Sequence, residues 1–328
     1  MTSILPHSSA GPHAQRPTTG IPLLALVGAT ASGKTALALA LADRLGSLAE
    51  IEIVNADSRQ IYRYMNVATA KPSSKERAAV PHHLLDIAAP DERITLAQYQ
   101  AAANATIRAI WERGKLPVLV GGTGLYIRSV IDALAIPEVP PDPHLRNELE
   151  ETARRYGAAA LHAQLAAVDP RAAARIDSTN VRRVIRALEV CTVTGKSFSE
   201  QQRTRESPFR VLEIGLAVER GQLYGRADAR VGAMLEQGLV EETRDLISRG
   251  YGWELPAMSS LGYREMGTFL RGEATLDEAS ERLKLNTHRY IRRQLTWFRP
   301  DHRINWVDAT AAHDVLVQQV AARVLAWY

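Results

Sequence analysis

The 328-residue sequence has one cysteine, 6% aromatic residues and no long apolar run, and each shortage closes off a class of protein. Cys191 has no second cysteine to pair with, so no internal disulfide staples the fold. Beside Leu188, Val190 and Val193 it reads as part of an apolar helix face rather than as a reactive thiol, and a reducing compartment is expected. No stretch reaches the roughly 18 consecutive apolar residues a membrane-spanning helix needs, so no membrane partner is expected. The first 22 residues carry four prolines and no apolar segment of the signal-peptide kind. They are expected to form a flexible tail, and a cytoplasmic location is the matching expectation. With 46% hydrophobic and 23% charged residues, the composition excludes disordered, collagen-like and disulfide-scaffold chains. A chain of this length suits one large α/β domain with an inserted lobe, or two domains.

Net charge is only +4, yet it is unevenly spread. Residues 282–303 hold seven Lys and Arg against one acid, and residues 144–230 hold fifteen against eleven. Two basic segments suit a polyanionic partner; a solvated helix face is the blander reading, and charge alone favours it.

Short apolar runs at 23–27, 51–54 and 116–120 alternate with helical stretches that follow 34 and span 95–113, the pattern of a doubly wound parallel sheet. Residues 136–143 are proline-rich, and 144–206 show helical periodicity with no convincing strand. A returning strand is expected at 211–218, helices at 220–249, 262–271 and 275–298, a last strand near 303–307, and a terminal helix. The expected division is a tail over 1–22, a core over 23–141 and 208–328, and an all-helical insert over 142–207.

Gly28-Ala29-Thr30-Ala31-Ser32-Gly33-Lys34-Thr35 matches G-x-x-x-x-G-K-[ST] between an expected strand and helix. Backbone amides there wrap a phosphate, Lys34 adds a mobile positive charge, and Thr35 is a candidate ligand for Mg2+. The loop implies a bound diphosphate or triphosphate, whether of a nucleotide such as ATP or of another molecule, and does not name the reaction. No carboxylate follows the third strand, which runs into Gly121-Gly122-Thr123, so an ATPase-type metal site is not in evidence there. Asp57, just after the second strand, suits a base or a helix N-cap, and spacing leaves the two open. Thr123 is similarly open between a cap and a phosphate donor.

The blocks that hold these residues and five further ones resemble the tRNA dimethylallyltransferases, also called isopentenyl-tRNA transferases, from about residue 23 to 306. The blocks are GATASGKT at 28–35, ADSRQIY at 56–62, TAKP at 69–72, PHHLLDI at 81–87, VGGTGLY at 120–126, RRVIRALEV at 182–190, LGYRE at 261–265 and RRQLTWFR at 292–299. Ala29 and Ala68 stand where the family commonly has proline and glycine, and the tail has no counterpart. The resemblance, to the bacterial type without a zinc-finger extension, implies a P-loop kinase-like parallel sheet flanked by helices. It implies transfer of a dimethylallyl group from dimethylallyl diphosphate to the exocyclic amine of the adenine 3′ to the anticodon, in tRNAs reading U-starting codons. By that likeness residues 28–35 grip the diphosphate with Mg2+, Asp57 is the general base, and Thr123 and Arg230 attend the diphosphate or the reacting centre. The implied contacts with the tRNA anticodon arm are Asp57-Ser58-Arg59-Gln60, Arg146, Arg182-Arg183-Val184-Ile185-Arg186, Ser259-Ser260-Leu261-Gly262-Tyr263-Arg264 and Arg292-Arg293-Gln294-Leu295-Thr296-Trp297-Phe298-Arg299.

The residue types suit that chemistry. Adenine's amine is a weak nucleophile, helped if a carboxylate takes its proton, and the departing diphosphate gains charge that cations and amides stabilise. A target base stacked in an anticodon arm must be flipped out to react, and Ser58 and Gln60 are candidates for reading it. By spacing alone Arg230 reads as a surface residue paired with Asp228 or Glu236. One active centre per chain lets a monomer suffice. Competing readings are prenylation of free adenine nucleotides, an ATP-dependent kinase, and a non-catalytic RNA-binding module.

Overall fold

A computed structural model describes residues 20–201 and 206–328. The elements run in the order β1 (Ile21–Val27), α1 (Lys34–Leu45), β2 (Ile51–Asn55), α2 (Ser74–Ala79), β3 (His82–His83), α3 (Leu96–Glu112), β4 (Leu116–Gly121) and α4 (Gly124–Ile131). Then follow α5 (Pro143–Tyr156), α6 (Ala158–Val168), α7 (Pro170–Ala173), α8 (Val181–Thr194), α9 (Phe198–Gln201), β5 (Phe209–Ala217), α10 (Arg220–Glu236) and α11 (Leu239–Ser248). The chain ends with α12 (Tyr263–Leu270), α13 (Leu276–Phe298), β6 (Asn305–Asp308) and α14 (His313–Trp327).

The six strands form one all-parallel sheet in the order β3-β2-β4-β1-β5-β6. A central parallel strand is covered on both faces, which is why β1 reads as an unbroken apolar run, and residues 23–27 are wholly buried. Its side chains alternate between two cores. Leu23, Ala25 and Val27 pack with Ile107, Ile127 and Leu283, whereas Leu24 and Leu26 pack with Leu37, Leu41, Ile291 and Val320. Helix α13 contributes to both, so it crosses the end of the sheet and ties the two helical layers together.

Helices α5–α9 bury a third, separate core of Leu161, Leu165, Val184, Leu188, Val190 and Phe198. Cys191 packs at its edge, where burial pushes the thiol up. No helix among the described residues is long and apolar enough to cross a membrane.

Several boundaries differ from the sequence-based expectation. Of the expected tail, residues 1–19 lie outside the described residues, while Ile21 and Pro22 belong to β1, because pairing with β5 starts at Ile21 opposite Phe209. Residues 202–205 of the expected helical stretch also lie outside. The expected helix over 220–249 is two helices, since Gly238 at φ 88° reverses the chain between α10 and α11. Elements α2, β3 and α4 were not anticipated, being too short for periodicity to reveal them.

Candidate active site

The loop between β1 and α1 spans residues 28–33. Ala31 at φ 66° and Gly33 at φ 95° both take the left-handed conformation, and Gly33 enters α1 without a side-chain cap. The amino end of α1 therefore keeps free N–H groups, which favour an anion. Lys34 Nζ donates back to the carbonyl oxygens of Gly28 at 3.0 Å and Ala29 at 2.7 Å. Burial pulls this ammonium down to about 8, with Arg230 adding repulsion and Asp57 opposing it. Ser32 Oγ is buried beside Gly28 with no hydrogen-bond partner among the described residues. A buried hydroxyl and a desolvated lysine in an amide-lined loop fit a diphosphate. Thr35 lines the same cleft and supplies one hydroxyl. Among the described residues no group of three His, Cys, Asp or Glu side chains could hold a metal unaided. Thr35 is a residue of this loop whose hydroxyl could hold a magnesium ion accompanying a diphosphate.

Asp57 leaves the end of β2 next to this loop. No helix follows it; its Oδ1 accepts from the Arg59 amide at 2.8 Å in a turn, and its own amide donates to Asn55 Oδ1 at 3.0 Å. Thr123 stands at the start of α4 without capping it. Its hydroxyl instead accepts from the Ser58 amide at 3.0 Å, and its amide donates to Ala56 O at 3.2 Å. Asp57 and Thr123 are thereby locked together across β2 and β4. Tyr290, which no sequence pattern singled out, lines the same cavity; burial first, then the charge of Asp57, pushes its hydroxyl up to about 12.

A single cavity of about 800 Å³ joins these groups. Thr30, Ala31, Gly33, Lys34, Thr35, Asp57, Ser58, Arg59, Gln60, Thr123, Arg230, Ser259, Ser260, Leu261, Gly262, Arg264, Arg293 and Gln294 all line it. Arg230 faces the cleft and pairs with neither Asp228 nor Glu236; Asp228 takes His288 instead at 2.8 Å, and desolvation lowers the guanidinium's pKa. Lys71 was also missed: its Nζ is buried against Tyr62 O at 2.6 Å and Asp86 at 2.7 Å, bracing the 69–72 segment. A lone lysine in a loop gives no sequence signal of such a role.

Other expected contacts have side chains that are buried or already engaged within the protein. Val184 and Ile185 lie in the insert's core, and Tyr263, Leu295 and Phe298 in the main cores, because they occupy the inward faces of their helices. Arg146 and Arg186 are committed to the buried carboxylate of Glu189. The two amide protons of Gln60 donate to Thr69 O and Ala70 O, leaving only its oxygen for a base. Gln294 is 4% exposed beneath the phosphate loop. In contrast Arg182, Arg183, Arg292, Arg293, Thr296, Trp297 and Arg299 are exposed, and these arginines have no acidic partner among the described residues.

The family model described as IPP transferase matches residues 60–301. A tRNA dimethylallyltransferase of a Roseiflexus species is 50% identical over 307 residues, covering 94% of this chain and 99% of that protein. Another from Chloroflexus aurantiacus is 52% identical over 298 residues, covering 88% and 99%. Among solved structures, a full-length tRNA isopentenylpyrophosphate transferase from Bacillus halodurans is similar with a TM-score of 0.70 at 41% identity, over 94% of this chain and 96% of that one. A eukaryotic dimethylallyltransferase, described as acting on tRNA, gives 0.77 at 26% identity, over 92% and 77%.

Proposed function

We propose, from the premise that the chain belongs to the IPP transferase family, that it transfers a dimethylallyl group from dimethylallyl diphosphate to tRNA, at the exocyclic amine of the adenine 3′ to the anticodon. The observation that carries this reading is the single cavity. It has a phosphate-binding loop on one wall, a carboxylate on the next, and a rim lined by Arg293 that continues onto the exposed arginines of α13. Donor and acceptor meet in one cavity, and all its walls come from one chain, so a monomer suffices.

In this reading Lys34, Arg230 and those amides of residues 28–35 not already bonded within the protein, as the amides of Thr30 and Ser32 are, hold the diphosphate, and Thr35 would hold a magnesium ion that would supply charge neutralisation. The flipped adenine enters from the α13 side. As its nitrogen bonds to the allylic carbon, the carbon–oxygen bond breaks, the electron pair leaves with diphosphate, and Asp57 accepts the nitrogen's proton. The Asn55 and Arg59 contacts aim Asp57, while among the described residues no hydrogen bond reaches its Oδ2. Positive groups already in place stabilise the growing charge on the leaving group without reorganisation. Exposed Arg182, Arg183, Arg292, Arg293 and Arg299 contact tRNA phosphates, and the face of Trp297 offers a surface for a base. The acceptors are tRNAs reading U-starting codons.

The deciding experiment incubates unmodified tRNA, AMP and ATP separately with the protein, Mg2+ and dimethylallyl diphosphate, and analyses the nucleosides by mass spectrometry. Prenylated adenosine from tRNA alone is expected, at the position 3′ to the anticodon. Product on free nucleotides, or ATP consumption without prenylation, would refute the reading.

A further inference from the structure

The loop after β1 and the turn after β4 are tied to each other by a side chain from a third element. Gln294 of α13 accepts the Thr30 amide on its Oε1 at 2.8 Å and donates through Nε2 to Gly122 O at 3.0 Å. We propose that Gln294 is a positioning residue for the diphosphate-binding loop rather than a contact to the acceptor RNA. This deepens the function proposed above and rests on it.

Three features support the assignment. Both the oxygen and the nitrogen of the amide bond backbone groups, in a position 4% exposed, so the side chain is engaged without any ligand. The fit is close on the far side: a Cβ at residue 122 would lie 2.3 Å from Nε2, so only glycine lets the amide reach the Gly122 carbonyl undisturbed. Finally, the two anchored segments are the chemically opposed ones. Thr30 sits next to Ala31, whose φ of 66° is held against its own preference, in the loop that grips the donor. Gly122 precedes Thr123, which is bonded to Ser58 beside Asp57. Gln294 therefore sets the spacing between the donor's diphosphate and the base. The neighbouring Arg293 and Trp297 are exposed, which makes α13 the shared wall between this clamp and the outer basic face.

The test compares full-length wild type with Gln294→Leu and Gln294→Glu. Amide hydrogen exchange at Thr30 is read alongside thermal melts, affinity for inorganic pyrophosphate, affinity for unmodified tRNA, and steady-state kinetics. For Gln294→Leu the Thr30 amide is expected to exchange about tenfold faster, the loss of one hydrogen bond. The KM for dimethylallyl diphosphate and the pyrophosphate dissociation constant rise about 10- to 100-fold, as loosened positioning dictates, while tRNA affinity stays within about twofold. Gln294→Glu keeps the acceptor for Thr30 and is expected to retain slow exchange there, which serves equally if the leucine variant does not fold. Unchanged exchange at Thr30 in Gln294→Leu, fast exchange in Gln294→Glu, or a tenfold loss of tRNA affinity with pyrophosphate binding intact would overturn the assignment. If wild type binds pyrophosphate but prenylates no RNA, the proposed function fails, and exchange and pyrophosphate binding still judge the clamp.

Discussion

Arg146 offers the sharpest separation between a structural and an RNA-binding arginine. Its Nε and Nη2 bond the two oxygens of Glu189 at 2.8 and 2.7 Å, and that carboxylate is fully buried. Burial alone would raise the Glu189 pKa; Arg146, then Arg186 and the Asp142 amide, hold it below the usual carboxylate value. Removing a partner from a buried ion pair costs about 3–5 kcal/mol. Because Arg186 and the Asp142 amide remain, at 2.6 and 2.8 Å, the cost of Arg146→Ala is placed at about 2–3 kcal/mol. The depressed pKa also makes Glu189 stabilising above its unfolded pKa, with that contribution lost as pH falls through the folded value. Arg146→Ala raises the folded value, so its acid unfolding should begin at higher pH. Urea unfolding read by circular dichroism measures the loss, and tRNA binding across a salt series provides the contrast. Arg183→Ala should leave stability within about 0.5 kcal/mol and flatten the salt slope by about 0.7–0.9, one released counterion. Arg146→Ala should do the reverse. A stable Arg146→Ala protein whose salt slope falls as much as that of Arg183→Ala would refute the assignment.

The remaining predictions concern the cleft. Asp57→Asn should lower single-turnover prenyl transfer by about 10²- to 10⁴-fold with tRNA affinity little changed; near-normal turnover would remove Asp57 as the base. Burial lowers the folded pKa of Lys34 to about 8, below its ordinary value of 10.5, so pyrophosphate affinity should fall as pH rises above about 8. The linkage runs the other way for the fold, which pays for the buried ammonium below pH 8 and should gain stability between pH 8 and 10.5. Lys34→Met should abolish both trends, and pyrophosphate titrations and melts across that range would show it. Arg230→Ala removes a repulsion from Lys34 and should raise the lysine's pKa while weakening pyrophosphate binding; a lowered pKa, read from the pH dependence of that binding, would contradict the cleft geometry.

Motifs held by backbone geometry were the legible part of this protein. The phosphate loop, Asp57 and Thr123 fall at the ends of β1, β2 and β4 because parallel strands bring their carboxyl ends to one edge, and the strands themselves are marked by apolar runs. Arg146 was not legible in the same way. Its partner Glu189 lies 43 residues on, and nothing in either segment distinguishes an arginine kept for a buried carboxylate from one kept for a phosphate. Arg230 differs in the opposite direction: spacing alone offered it Asp228 or Glu236, and only the resemblance pointed to the cleft, where the guanidinium lies while Asp228 bonds His288 on α13. Long-range pairing decided both, and it is what a single sequence conceals.

The block over 292–299 shows the same point within one helix. Read as a string it is a basic, aromatic-containing segment suited to RNA, but 3.6 residues per turn divide it into opposite faces. Arg292, Arg293, Thr296 and Trp297 face outward, while Gln294, Leu295 and Phe298 turn into the protein, and with Ile291 they pin α13 across the end of the sheet. The inward half fixes the position of the outward half relative to the phosphate loop, through Gln294 at one point and apolar packing at the others. Polar substitution of Ile291 should therefore impair donor and acceptor functions together, whereas substitution of Arg292 should weaken tRNA binding and leave pyrophosphate affinity intact. Parallel titrations of pyrophosphate and tRNA on Ile291→Asn and Arg292→Ala would test this division; loss of pyrophosphate binding in Arg292→Ala would show that the two faces are not separable.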